Sequence, residues 1–391
     1  MDIRLVWLAL GTFVIGVEGF VISSLLPDVA IDTGVSITQA GFLVMAYALA
    51  YAVGAPVLAS LTGAFDRRRV LTAAALVFAA GAMGAGFASG YAGLLAARVI
   101  MAFCAGLYAA TAQATAVSIV SPDHRGRAIA VIVGGTTLAL AFGAPIGGLV
   151  AGFFGWRGTY LAIAGVAVVA AAAIWLLLPA GIRGEHRSLA ERVSAVMLPG
   201  VLPALLTTFL YIAGTFSVIV YIAPLSTGPM HLAPAMVPMV LLAFGVGAAF
   251  GNYAGGQLAD KWGAQRTIVV NLALGVALLV ILGLLPLLPA DWTGPAFLLF
   301  MVTWGVLGWS FPPAQASRLI ALAPNSAPLV LSLNGSALYL GVAAGSVIGG
   351  QVMQHGSALE LPWIAALFPI AALVMMRLLR GAGQPRLAPL G

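Results

Sequence analysis

The stretch SPDHRGRAIAVIVGGTTLALAFGAPIGG, residues 121–148, has a counterpart later in the same chain. It aligns without gaps to APNSAPLVLSLNGSALYLGVAAGSVIGG, residues 323–350. Pro122 meets Pro324, Gly143 meets Gly345, and Ile146-Gly147-Gly148 meets Ile348-Gly349-Gly350. A unit that recurs at a fixed shift points to an internal repeat, and a repeat constrains the fold before any motif does. Each copy is an apolar run long enough to cross a bilayer as a helix. Two such runs in corresponding places predict two similar halves, with a binding site between them near mid-membrane.

Composition sets the solvent. Of 391 residues, 62% are hydrophobic and 7% charged, against the roughly 25% charged residues usual in a soluble domain. So few polar groups cannot cover a soluble surface of this size. Apolar runs of about 20 residues suit a helical crossing. Twelve are read, over 5–26, 38–62, 70–89, 92–118, 127–153, 158–180, 199–225, 233–257, 267–288, 293–318, 327–352 and 361–380. The runs at 92–118 and 127–153 have length to spare for a tilt or kink. The first run has no small-residue cleavage site and reads as a retained span. The longest polar interval, GIRGEHRSLAERVS at residues 181–194, falls between the sixth and seventh runs. The expected architecture is an all-α membrane protein with twelve transmembrane helices in two six-helix pseudo-repeats. Residues 1–180 form the N-terminal bundle, 181–198 a cytoplasmic linker and 199–391 the C-terminal bundle.

Basic residues set the orientation. With both termini in the cytoplasm, Arg4, Arg67, Arg68, Arg69, Arg125, Arg127, Arg183, Arg187, Arg192, Lys261, Arg266, Arg318, Arg377, Arg380 and Arg386 all fall inside. Arg157 falls in an outer loop, with Asp28, Asp32, Asp291 and Glu360 also outside. The net charge of +6 is scattered over short loops, which argues against a nucleic-acid surface. A single cysteine, Cys104, excludes an intrachain disulfide and a cysteine metal cluster. No His cluster, HExxH or GxSxG pattern is present, so neither a metal nor a cofactor nor a nucleophile is expected. No Walker A pattern is present either, and the only lysine, Lys261, precedes Trp262. Transport by such a chain is expected to draw on a gradient, not on ATP.

Two ionisable groups interrupt the apolar runs. FVIGVEGFVISSLLP, residues 13–27, carries Glu18 at its centre. Desolvation penalises the charged form of such a carboxyl, so it can take a proton from one side and release it to the other as its water access changes. An approaching cationic substrate would favour the ionised form and compete with the proton. The alternative is a neutral acid hydrogen-bonded to a neighbouring helix. In RVIMAFCAG, residues 98–106, Arg98 is the only basic residue within a span. An arginine at a helix centre costs about 2.5–3.5 kcal/mol on insertion scales, so it must face the bundle or water. A structural arginine held by backbone carbonyls is the plainer reading. The sequence leaves the separation of Glu18 and Arg98 open. Tyr47, Tyr51, Tyr108, Gln113, Asn252, Trp304, Trp309, Asn334 and Tyr339 are polar or amphipathic groups inside spans. Each reads as a substrate contact or, more simply, as an interhelical hydrogen-bonding or interface residue.

Together these features resemble the major facilitator superfamily, and more narrowly the bacterial drug:proton antiporters of the arabinose-efflux and chloramphenicol-efflux type. Glu18 followed by Leu25-Leu26-Pro27-Asp28 is similar to the family's opening. Arg98 stands at the family's span-four arginine, with Met101 in place of a glutamine. GGTTLALAFGAPIGG, residues 134–148, resembles the antiporter signature. LTGAFDRRRVL, residues 61–71, keeps the basic end of the loop pattern but has Gly63 where the family has Asp and Asp66 where it has Gly. GGQLADKWGAQR, residues 255–266, keeps Gly256, Asp260, Lys261, Gly263 and Arg266 in place. The resemblance implies proton coupling through Glu18 and Arg98 and a rocking pivot at Gly143, Pro145, Gly147 and Gly148. It also implies gating by Arg67, Arg68, Asp260, Lys261, Gly263 and Arg266; positive-inside topology with a tight glycine turn accounts for the same basic residues. The implied partners are a small amphiphilic drug or sugar-like metabolite, protons and the bilayer, for a monomer in a bacterial inner membrane. Uptake on the same fold is the alternative. A non-transporting receptor would lack a soluble ligand-binding domain, and an intramembrane enzyme would lack a catalytic constellation.

Overall fold

The computed structural model describes residues 3–121, 124–183 and 194–382. Pro122, linker residues 184–193 with Arg187 and Arg192, and Arg386 lie outside them, as do the side chains of Arg125 and Arg380. The described residues are almost all helical, and the one β-contact among them is a single antiparallel bridge between Asp66 and Arg183. In the first half, α1 (Ile3–Thr33), α2 (Ile37–Leu61), α3 (Arg67–Gly86), α4 (Tyr91–Ser118), α5 (Arg125–Leu138) and α6 (Ala144–Leu177) follow in order. The second half holds α7 (Val201–Ile219), a short α8 (Ile222–Thr227), α9 (Val237–Trp262), α10 (Ala264–Leu284), α11 (Ala290–Leu322), α12 (Ala327–His355) and α13 (Leu361–Ala382).

Eleven runs among the described residues are long and apolar enough to cross a membrane, and one of them, Arg127–Leu177, is 51 residues long. At 1.5 Å per residue a straight helix of that length would span about 77 Å, more than twice the hydrocarbon core. Gly155 breaks it: its φ of 70° and ψ of 169° lie outside the helical region. The run is therefore two crossings, and the spans number twelve. A second irregularity falls beside the glycines and proline whose resemblance implies a pivot. Residues Ala139–Gly143 form a π-turn, with the Ala144 N–H bonded back to Ala139 O. Pro145 follows at once; it has no N–H to offer the Ala141 carbonyl one turn back, and the wider turn absorbs that mismatch.

Helix pairing repeats in the two halves. In the first, α1 packs on α5 and the start of α6, α2 on α4, and α3 on α4 and α6. In the second, α7 packs on α12, α9 on α11, and α10 on α11 and α13. Across the halves, α2 meets α12, and α9 meets the π-turn with its flanking helices. The repeat extends to single residues. A side-chain carbon added at Gly143 would strike Val17 and one at Gly147 would strike Val21; the equivalent additions at Gly345 and Gly349 would strike Ala213 and Ser217. Both pairs of glycines press the fifth or eleventh span against the helix that opens its own half.

Glycine also sets the closest approach in the second half. Gly247, Gly251 and Gly255 recur every four residues along α9 and face the backbone of α11, where added carbons would lie 2.0, 2.1 and 2.3 Å from the carbonyl oxygens of Val302, Val306 and Ser310. Contact between bare backbones is the usual means of helix association in lipid, where no hydrophobic force acts. Gly247→Ala is expected to destabilise the protein by about 1–3 kcal/mol, since backbone cannot yield as a side chain can. Gly275→Ala, which faces open space in α10, is expected to be neutral or to stabilise by up to about 1 kcal/mol. Thermal unfolding in detergent compares the two, and equal effects would contradict the packing described.

Candidate functional site

One end of the bundle carries Arg67, Arg68, Arg69, Lys261 and Arg266; the other carries Asp28, Asp32, Asp291 and Glu360. At the acidic end Arg157 is not left exposed as a lone cation. It pairs with Asp32, which also accepts from Trp156 Nε1 at 3.2 Å, and it donates to the Ala88 carbonyl at 3.0 Å. That clamp ties the end of α1 and the turn after α3 to α6 just past its break at Gly155.

Four side chains and one carbonyl meet inside the first half. Glu18 comes from the middle of α1, Tyr47 from α2, Arg98 from the third turn of α4 and Tyr160 from α6. Arg98 Nη1 donates to Glu18 Oε1 at 2.5 Å and to the Tyr160 hydroxyl at 2.7 Å, while Nε donates to the Leu43 carbonyl at 3.2 Å. The guanidinium also lies 4.9 Å from the centre of the Tyr47 ring, within cation–π range. Glu18, Arg98 and Tyr160 are wholly buried and Tyr47 nearly so. Arg98 is thus anchored by a carbonyl and neutralised by an acid.

The pair constrains its own chemistry. A proton on Glu18 would cancel the carboxylate and leave a buried guanidinium uncompensated, which is costly. Protonation and rupture of the pair are therefore linked. Glu18 Oε2 and the Tyr47 hydroxyl are buried and have no hydrogen bond of normal geometry, and the hydroxyl stands near the carboxylate as its neighbouring donor. The free carboxylate oxygen is the position on this side chain that can receive a proton or a donor without first displacing Arg98.

Next to this cluster the halves touch. Tyr51 stacks on Tyr339, centroids 3.6 Å apart at 17°, and Ser336 Oγ donates to the Ala52 carbonyl at 3.0 Å. Phe20 meets Trp309 edge-on at 6.0 Å. Toward the acidic end Thr38 donates to Gly350 O at 3.0 Å, Ser346 to Gly41 O at 2.7 Å, and the Tyr221 hydroxyl to Ser346 O at 3.0 Å. The first two of these bonds close the halves on each other at that end, and the third, within the second half, holds the Ser346 segment that makes one of them. Deeper in the second half, Gln315 Nε2 donates to Thr208 Oγ1 at 3.0 Å and to Ala204 O at 2.5 Å, and Thr208 donates to Asn334 Oδ1 at 2.6 Å.

The remaining candidates are dispersed. Tyr108 is fully buried against Gly11 and donates to the Leu8 carbonyl at 3.1 Å, a joint between α1 and α4. Trp304 is buried against Phe244 and Phe300. Asn252 is half-buried on α9 and Gln113 exposed on α4. Gly148 approaches Pro238 of α9, and Pro145 is buried beside it. At the basic end, Arg67 N donates to Ile182 O at 2.8 Å, and Arg68 donates to Leu178 O at 3.4 Å with its guanidinium 4.4 Å from the Trp175 ring. Asp260, Lys261 and Arg266 are exposed around the Gly263 turn, where φ is 83°.

Three groups that the structure places in these contacts escaped the sequence reading. Tyr160 and the Leu43 carbonyl had no signal, because nothing along the chain sets which faces of α2, α4 and α6 converge. Asp66 did have one: an acid directly before a helix start is a common N-cap. It accepts from Arg69 N at 3.2 Å and also from Gly181 N, so it caps α3 and holds the start of the linker. Partial burial works against ionisation there, but the N–H groups of Gly181, Arg69 and Arg68 outweigh it and hold the carboxyl below its usual range.

A family model described as Major Facilitator Superfamily matches residues 8–345. The chain is 33% identical to the inner membrane transport protein YdhP of Escherichia coli K12, covering 89% of this chain and 88% of that one. It is 31% identical to a chloramphenicol resistance protein of Streptomyces lividans, covering 96% and 95%. Among solved structures it is similar to a D-xylose–proton symporter, with a TM-score of 0.76, 17% identity and coverage of 95% and 96%.

A buried ion pair is best tested by a cycle. Glu18→Met and Arg98→Met are each expected to cost about 3–5 kcal/mol by stranding the partner, and the double variant is expected to recover part of that loss. Thermal unfolding of the four proteins reads the coupling. Strictly additive losses would show that the two groups do not depend on each other.

Proposed function

The chain belongs to the Major Facilitator Superfamily, and on that basis we propose that it exports small amphiphilic molecules from a bacterial cytoplasm in exchange for protons. The two bundles, residues 1–180 and 199–391, rock about the interface of α2 with α12 and α9 with the π-turn. The basic end faces the cytoplasm, as the positive-inside bias favours. The named location of YdhP supports an inner-membrane site. The observation that carries the reading is Glu18, an ionisable group at mid-helix with one oxygen bonded to Arg98 and the other unbonded. Glu18 carries the proton. When it is protonated, Arg98 falls back on Leu43 O, Tyr160 and the Tyr47 face. When substrate arrives between the halves, the carboxylate re-forms and the proton leaves.

Tyr51, Tyr339, Phe20 and Trp309 supply an aromatic lining where the halves meet, suited to an amphiphile. Asn334, positioned through Thr208 and Gln315, adds a polar contact. Gly143, Pro145, Gly147 and Gly148 act as the pivot. The Asp260–Arg266 segment joins helix ends in the alternate state, and in the first half Asp66, Arg67 and Arg68 tie α3 to the linker. Export is favoured over uptake by the likeness to a chloramphenicol resistance protein over nearly the whole chain. The likeness to a sugar–proton symporter is one of fold.

Expression in a bacterium lacking its own pumps is expected to raise resistance to chloramphenicol or another small amphiphile severalfold, and Glu18→Gln is expected to return it to the empty-vector level at equal protein abundance. In everted vesicles energised by respiration, the same compound is expected to alkalinise the lumen. Full resistance in the Glu18→Gln protein would remove Glu18 from coupling. Loss of the lumen signal with resistance retained would remove proton exchange.

A further inference from the structure

We propose that the Trp309 carbonyl, left without its helical donor by Pro313, accepts a hydrogen bond from the transported molecule, so that the protein selects amphiphiles carrying a hydroxyl or amide N–H. This deepens the export reading above and rests on it. Proline has no N–H, so inside a helix it frees the carbonyl four residues earlier. Pro312 and Pro313 stand side by side within α11 and free the carbonyls of Gly308 and Trp309. A carbonyl without a donor at membrane depth persists only where it meets protein or a wetted cavity. Gly308 O is answered: Tyr211, stacked on Phe311 with centroids 4.1 Å apart, donates to it at 3.3 Å. Ala52 O, freed in the same way by Pro56 in α2, accepts from Ser336 of the opposite half at 3.0 Å. Among the described residues no side chain donates to Trp309 O.

The place of this oxygen gives it a ligand. Trp309 lies mid-way along α11, and its ring meets Phe20 of the first half edge-on at 6.0 Å and Phe244 at 5.5 Å. A helix carbonyl points toward the residue four further on, so the freed oxygen lies on the face that Trp309 and Pro313 share. Both residues are half-buried, while Gly308, Ser310, Phe311 and Ala314 around them are buried. That face is turned to the first half, where the aromatic groups meet. An indole beside a free acceptor suits an amphiphile: the ring takes the apolar part and the carbonyl takes the donor. A molecule without a donor would dry the carbonyl and leave it unpaired. A site built to hydrogen-bond therefore rejects the analogue that cannot, by more than the bond alone contributes.

Equilibrium binding to the purified full chain reads the acceptor. The probes are chloramphenicol, which has hydroxyl and amide donors, and a derivative methylated at all of them. Wild type is expected to bind the parent compound about tenfold more tightly than the derivative. Pro313→Ala returns an N–H to Trp309 O. It is expected to bring the parent down to the derivative's affinity, to leave the derivative's affinity unchanged, and not to lower the unfolding temperature. Pro313→Gly, which restores the N–H but keeps the helix pliable, is expected to do the same. Pro312→Ala is expected to keep the wild-type preference, because Gly308 O already has its donor in Tyr211. Retention of the preference in both Pro313 variants overturns the inference. So does an equal loss for both compounds, which marks a change of helix shape alone. Equal affinity of wild type for the two compounds overturns it while the export reading stands. Failure of wild type to bind either compound removes the amphiphile site itself, and the export reading with it.

Discussion

A guanidinium buried at membrane depth is the constraint around which the first half is arranged. Lipid offers Arg98 nothing, so the protein must supply every partner. It does so from three helices: a carboxylate from α1, a carbonyl and a ring from α2, and a hydroxyl from α6. These contacts fix the rotation of each helix about its axis, which hydropathy alone does not. They also make Glu18 the one group in the cluster whose charge can change without removing a structural bond to the backbone.

The two halves share a plan but not a chemistry. The glycine contacts place Val17 opposite Ala213 and Val21 opposite Ser217, and the same shift sets Gly214 where α1 has Glu18. An added carbon at Gly214 would lie 2.8 Å from the Ala365 carbonyl of α13, so the second half is closed by backbone where the first holds an acid. A buried carboxyl thus lies in one half, while the other supplies aromatic and amide groups. In the proposed rocking cycle that asymmetry would let one half sense the proton while both sense the substrate.

Much of the fold was legible in the sequence, and the reason is physical. Helices that cross lipid must be long and apolar, so their positions follow from hydropathy, and the repeat between spans five and eleven is preserved in their packing against α1 and α7. The number of crossings needed only Gly155 to be read as a break. The site was legible by composition but not by geometry. Glu18 and Arg98 stood out because charge is expensive in a span. Tyr160 and Leu43 did not, and Tyr108, a candidate ligand contact, is bonded to the Leu8 carbonyl instead. In a soluble helix the apolar stripe shows which face is buried. In lipid both sides are apolar and that contrast vanishes, so the sequence does not say which residues of neighbouring spans meet.

The proposed coupling requires Glu18 to change charge while Arg98 stays in place. Infrared difference spectra of the purified protein, taken across a pH titration and compared between wild type and Glu18→Gln, report that carboxyl directly. A protonated-carboxyl band that grows as pH falls, present in wild type and missing from the variant, is the predicted result. Identical spectra from the two proteins at every pH would mean that Glu18 never takes up a proton, and that the pair is a structural joint alone.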